Sequence, residues 1–148
     1  MSTDEVLAIT RALQAKTIAM VGLSSDPAKP SREVAAYLKS HGYTVIPINP
    51  TADHILGEKC YASLGDLPEN LKAEIEVVDI FRRAQDVAPI VDEAIELRRT
   101  FSLPNSIWMQ LGIVDENSAM RARKAGLDVV MDRCIMAEHR KRFGQKLQ

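Results

Sequence analysis

The sequence predicts an α/β fold, a Rossmann-like doubly wound parallel sheet of five strands in a single domain, and three features carry that prediction. Short β-branched runs alternate with stretches whose apolar residues recur at helical spacing. Glycine or Asn-Pro follows three of the five strand-like runs, and the connections are long enough for crossover helices. No segment repeats or is of low complexity. Strands alternating with helices pack as a parallel sheet covered on both faces, with right-handed crossovers. The expected strand order is 3-2-1-4-5, which puts the ligand crevice at the carboxyl ends of the first and fourth strands, where the order reverses.

Ser2 or Thr3 can cap a first helix running to about Ala15, with Asp4 and Glu5 at its positive end and Val6, Ile9 and Leu13 as its apolar stripe. Thr17–Val21 is the first strand, closed by Gly22. The loop Leu23–Pro30 follows, and Ser31 stands where the next helix should be capped. That helix spans roughly Arg32–His41, with Val34, Ala35 and Leu38 facing inward, and stops at Gly42, suited to the left-handed position after a helix. Thr44–Ile48 is the second strand, ended by Asn49-Pro50, although Pro47 has no N–H to give a ladder. Thr51 to Pro68 reads as a long irregular connection. Ile75–Ile80 is the third strand, and a helix from about Ala84 to Arg99 accepts Pro89 in its first turn. Ser106–Leu111 is the fourth strand, followed by a helix over Asp115–Ala125. Leu127–Met131 is the fifth, and Cys134–Phe143 is a last helix with a basic end.

Composition narrows the function. Of 148 residues, 46% are hydrophobic and 26% charged, and the formal net charge is -1. These are values of a folded chain, without bulk attraction to nucleic acid or anionic membrane. No apolar run approaches the ~20 residues of a membrane span, and the acidic start does not resemble a signal peptide. Cys60 and Cys134 form no CxxC pair, which points to a reducing, cytoplasmic setting. The three histidines and two cysteines show no metal-ligand spacing, so no metal site is expected.

A buried strand, a glycine at its carboxyl end, a small-residue loop and a helix start are the parts of a phosphate cradle, because the first helical N–H groups lack partners and the dipole there favours an anion. The dinucleotide fingerprint GxGxxG is not met, since Gly22-Leu23-Ser24 supplies only its first glycine. Asn49 stands at the end of the second strand, where NAD sites carry an acid for the ribose hydroxyl. An amide there tolerates a phosphorylated ribose, as in NADP or coenzyme A (CoA). No GK[ST] follows the loop, which argues against ATP turnover.

In order along the chain, GLSSDPAKPS, INP, DIFR and WMQLG, with the terminal DRCIMAEHRK, resemble the stand-alone CoA-binding proteins. That family is similar to the N-terminal CoA-binding domain of the succinyl-CoA synthetase alpha subunit. The resemblance implies that Gly22, Ser24 and Ser25 lie against the pyrophosphate, with Leu23 in the same cofactor-binding loop. It implies Lys29, Ser31 and Arg32 near the adenosine phosphates, and Asn49 and Pro50 near the ribose and adenine. Phe81 and Arg82 would flank the adenine or the phosphate chain, and Gln110 and Gly112 the pantetheine. The synthetase's catalytic histidine belongs to a second domain that does not match here, so the resemblance implies binding of CoA or acyl-CoA rather than turnover.

Plainer readings stand beside these. Gly22 can be an ordinary turn, Lys29 and Arg32 solvated charges, and Asn49-Pro50 a common turn pair. Trp108 belongs in the core of a sheet buried on both faces. Gln110 needs a hydrogen-bond partner, and Cys134, with no base beside it, reads as a buried thiol. An NADP-type oxidoreductase or redox sensor is the alternative function, although no Tyr-x-x-x-Lys pair is visible. A structural partner protein with a vestigial crevice is the third. The open edges of a small sheet suit a homodimer.

Overall fold

The structure is a computed structural model that describes residues 2–144. Helix α1 (Thr3–Leu13) is capped by Ser2, whose Oγ accepts the Glu5 N–H at 3.1 Å. Strands β1 (Thr17–Val21), β2 (Thr44–Ile48), β5 (Val77–Ile80), β6 (Ser106–Met109) and β7 (Asp128–Val130) form one parallel sheet in the spatial order β2-β1-β5-β6-β7. Helices α2 (Pro30–Ser40), α4 (Val87–Phe101), α5 (Glu116–Lys124) and α6 (Ile135–Arg142) pack on its two faces. The stretch expected to be irregular carries a small antiparallel ladder of β3 (His54–Ile55) and β4 (Glu58–Lys59), then a 3-10 turn and the short α3 (Glu69–Lys72). Pro89 lies in the first turn of α4, and Gly42 has the expected left-handed conformation (φ 94°).

The five-stranded parallel sheet is as expected, but its order is not. Counting only the strands of this sheet, it reads 2-1-3-4-5 rather than 3-2-1-4-5, the other common doubly wound arrangement. Pro47 gives the physical reason. It lies within β2, whose only neighbouring strand in the sheet is β1, so the missing N–H falls on the outer side, where a single bridge from Ile48 to Tyr61 replaces a strand. An interior second strand would have needed that donor. The order therefore reverses between β1 and β5, which pair from Ile18↔Val77 to Val21↔Ile80, and the crevice moves there from the predicted β1/β6 position.

Two apolar layers result. One holds α4 and α5 against Ala19, Val78, Ile80 and Ile107. The other holds α1, α2 and α6 against Ile18, Met20, Val77 and the fully buried Trp108. The second layer is closed by a cluster between α2 and α6: Tyr37 Oη lies 2.8 Å from His139 Nδ1, and the His41 and His139 rings are 5.1 Å apart. Burial, and secondarily His41, hold His139 below its ordinary value of 6.5. The folded chain therefore binds this proton less readily than the unfolded chain, which takes it up first as pH falls. The stability tied to this group is present above about pH 6.5 and lost below it. Denaturant midpoints at about pH 7.5 and about pH 5.5 are expected to differ more for the wild type than for His139→Phe, and equal differences would refute the assignment.

Candidate functional site

Gly22 ends β1 at the point where the strand order reverses. Its φ of 89° is left-handed, and a Cβ there would come within 2.7 Å of the Phe81 carbonyl oxygen and 2.9 Å of Arg82 Cδ. Only glycine combines that backbone angle with so close an approach of the β5 end. Gly22 is tied to β2 through its N–H on the Ile48 oxygen at 3.0 Å.

Cavities open on both sides of this glycine. One, of about 570 Å³, lies between the β1 loop, α2 and the start of α6, and is lined by Gly22, Ser24, Lys29, Ser31, Val34, Phe81, Gln110, Leu111, Cys134 and Met136 among others. The other, of about 250 Å³, lies toward α4, with Gly22, Ile48, Pro50, Ser63, Arg82, Pro89 and Ile90 in its wall. Gly22 lines both, so the two flank the carboxyl ends of β1 and β5. A cleft of about 620 Å³ beside β7 and α1 is different in kind: its wall is rich in charge, and Arg11 and Asp128 in it pair at 2.7 Å.

The loop is held from inside. Ser31 is not the N-cap of α2. Lys29 takes that place without a side-chain bond, and Pro30 opens the helix, its missing N–H lost where none is needed. The buried Ser31 Oγ instead accepts the Ser24 N–H at 3.0 Å, while Ser24 Oγ accepts the Asp26 N–H at 3.0 Å. Leu23 turns its side chain fully into the core and lines neither cavity. Ser25 is an exposed loop residue, and Arg32, half-buried on α2, is outside the lining of both cavities.

Asn49 is a loop clamp. Its Nδ2 donates to the Leu23 oxygen at 2.9 Å, and its Oδ1 accepts from the Thr51 and Ala52 amides at 2.7 and 3.1 Å. That carboxamide joins the loops after β1 and β2, and Pro50 beside it reaches the smaller cavity. Phe81 and Arg82 diverge, Phe81 into the larger cavity and Arg82 into the smaller. Arg82 lies 3.6 Å from Asp86, a loose pairing with the side chain 44% exposed, whereas Arg83 pairs with the same carboxylate at 3.1 Å and faces solvent.

β6 ends at Met109, so Gln110 and Leu111 belong to the loop beyond it. Gln110 finds the partner it needs: its Oε1 accepts the Ile135 N–H, the first of α6, at 3.1 Å. Gly112 lines neither cavity; with φ 83° it turns the chain and donates its N–H to Asp132 Oδ1 at 2.7 Å. Cys134 is half-buried and lines the larger cavity, against the expectation of a buried thiol.

Sequence reading passes over Leu111 and Met136, the apolar wall of the larger cavity. The 71% exposure of Leu111, just past a strand end, marks it as site rather than core. It also passes over Asp79, wholly buried on β5 between Met20 and Trp108, with neither carboxylate oxygen hydrogen-bonded. Burial pushes that carboxyl well above its ordinary 3.8. Asp79 lies two residues before Phe81, as Met20 does before Gly22 and Trp108 before Gln110. It is therefore one layer beneath the floor of the larger cavity. Among the described residues no cluster of metal-ligating side chains occurs, and no helix is long and apolar enough to cross a membrane.

A doubly wound parallel sheet with two cavities at its switch point, both lined by one glycine, defines a Rossmann-like domain. The chain belongs to the CoA binding domain family, which residues 16–140 match. It is 33% identical over 126 residues to the Bacillus subtilis (strain 168) protein YneT, covering 85% of this chain and 87% of that one. A solved structure of a hypothetical protein from Pyrococcus horikoshii OT3 superposes with a TM-score of 0.82 at 36% identity, covering 95% of this chain and 92% of that one. A 65-residue stretch is 37% identical to the ADP-forming acetate–CoA ligase II of Archaeoglobus fulgidus, covering 43% of this chain but 10% of that enzyme.

Proposed function

We propose that the protein binds coenzyme A, free or acylated, across the two cavities that Gly22 lines and has no catalytic apparatus of its own. The observation that carries this reading is the place of Gly22, which lines two cavities at the carboxyl end of β1, the switch point where open parallel sheets take their ligands. In this reading the nucleotide end occupies the smaller cavity, with Pro50 beside the adenine and Arg82 leaving Asp86 for a phosphate. The pyrophosphate passes Gly22 and Ser24, with Lys29 as the cation in the same cavity wall. The pantetheine arm enters the larger cavity along Phe81, Gln110 and Leu111. Family membership supports a CoA ligand, as does the likeness to part of an enzyme named for joining acetate to CoA. The ligand would be met in the cytoplasm, where both free thiols stay reduced.

Reduced CoA is expected to raise the melting temperature, and Ser24→Asp, which sets a carboxylate against the phosphates, is expected to abolish the rise. NADPH in competition separates this reading from an NADP-type one. A flat titration to millimolar CoA, or displacement by NADPH at lower concentration than by CoA, would overturn it.

A further inference from the structure

We propose that the cofactor is held as a thioester whose acyl group is a hydrocarbon chain longer than acetyl, lying against Phe81, Leu111 and Met136; this rests on the CoA reading above. The larger cavity changes character from one side to the other. Toward the β1 loop and α2 its wall offers Ser24, Lys29, Ser31 and Glu33, with Pro30 and Val34 among them. Toward the β6 end and α6 it offers Leu111, Ile113, Cys134 and Met136, and Phe81, just past β5, lies between the two sides. Gln110 is the amide on that second side; it is 4% exposed, and its oxygen accepts the Ile135 N–H at 3.1 Å. A thiol is a weak hydrogen-bond partner, so this side suits methylenes better than polar groups.

Leu111 is the pointer to that chain. It is 71% exposed in the cavity wall, and the backbone builds that exposure in. The Ile113 N–H donates to the Gln110 oxygen at 2.9 Å, which closes a turn with Leu111 at its tip. Gly112 follows at φ 83°, as a type II turn requires, and donates its N–H to Asp132 Oδ1 at 2.7 Å. The turn is thus fastened to the chain after β7, and Leu111 does not fold back into the core. A large apolar side chain held in water beside Ile113 and Met136 gains by being covered with hydrocarbon.

The reach of the cofactor brings its end to this place. Val21, Ile80 and Met109 are paired across β1, β5 and β6, so Gly22, Phe81 and Gln110, the next residues, stand side by side. Gly22 and Gln110 are therefore two strand spacings apart, about 10 Å. A pantetheine arm has about a dozen bonds between its phosphate oxygen and its sulfur, roughly 15 Å when extended. Starting at Gly22, it runs past Phe81 and sets the sulfur beyond Gln110, where Leu111 and Met136 stand. A free thiol leaves those side chains wet and an acetyl group covers little of them, whereas a longer chain covers both.

The test measures affinity by calorimetry on the intact protein, for reduced CoA and for its straight-chain thioesters from acetyl to octanoyl, in the wild type and in Leu111→Ser. Leu111 is exposed, so serine there keeps the fold. The wild type is expected to bind about two- to fourfold more tightly per added methylene until the apolar wall is covered. Leu111→Ser is expected to cut the gain from acetyl to octanoyl by at least about fivefold. Equal affinity for CoA and every thioester, or affinity that falls with chain length, overturns the proposal and spares the binding reading, which reduced CoA tests by itself. A gain that Leu111→Ser leaves intact overturns it as well, because the chain then lies elsewhere. Binding of neither CoA nor any thioester overturns both.

Discussion

Replacing Gly22 by alanine is expected to lower stability by about 2–4 kcal/mol, or roughly 5–15 °C in melting temperature for a chain of this size, and to remove the response to CoA. Two independent effects add here. An L side chain at φ 89° is strained, and the new methyl would stand 2.7 Å from the Phe81 oxygen and 2.9 Å from Arg82 Cδ. The oxygen is backbone of a central strand's end and cannot yield without parting β1 from β5. Gly112→Ala separates the two effects. Its φ of 83° is similar, but nothing lies within 4 Å of the added methyl, so only the strain of about 1–2 kcal/mol remains. Equal losses in the two variants, measured by denaturant melts, would show that the close approach of β5 is not what fixes glycine at position 22.

Asp79→Asn is expected to make the protein more stable at neutral and alkaline pH and to flatten its pH profile. In the wild type the folded chain holds this carboxyl's proton well above the ordinary 3.8, because burial without any hydrogen bond disfavours the anion. The unfolded chain releases the proton first as pH rises. The associated stability is thus complete below about pH 4 and declines above it, by at most about 1.4 kcal/mol per pH unit for one proton, until the folded group itself ionises. Asparagine has the same shape and no proton to lose. Unfolding free energies of the two proteins, measured from about pH 4 to about pH 9, should diverge as pH rises, with the Asp79→Asn variant increasingly the more stable. A constant difference, or a variant less stable at alkaline pH, would contradict the burial of an unpaired acid.

Much of this molecule is legible in its sequence because strands covered on both faces announce themselves as apolar runs. TIAMV, TVIPI, IEVVDI, SIWMQL and LDVVM locate the sheet within a residue or two. The expected strand order fails for a reason the sequence itself contains. Pro47 is visible as a strand residue without a donor, and that fact fits only a strand with a neighbour on one side. The position of the β1 loop is legible, but its internal bonding is not. Ser31 and Asn49 both have side chains suited to touching a ligand, and both turn them toward the chain's own backbone. No spacing rule separates a hydroxyl that holds a loop from one that holds a phosphate. Asp79 is hidden for the opposite reason. An acid near a strand's carboxyl end looks ready to face a crevice, and only the register with Met20 and Trp108 places it under the floor.

Pro47 has one more effect, on how copies of this chain can meet. Along the outer side of β2, the Pro47 oxygen and the Asn49 N–H are already engaged by Tyr61, at 3.1 and 2.9 Å. Little of that border is left to recruit a further strand, while β7 at the opposite border is three residues long. Sheet-to-sheet growth would have a single usable border per molecule, so joining two molecules uses up both and the addition stops. A fold with one sealed border is thereby protected from running on into a fibre.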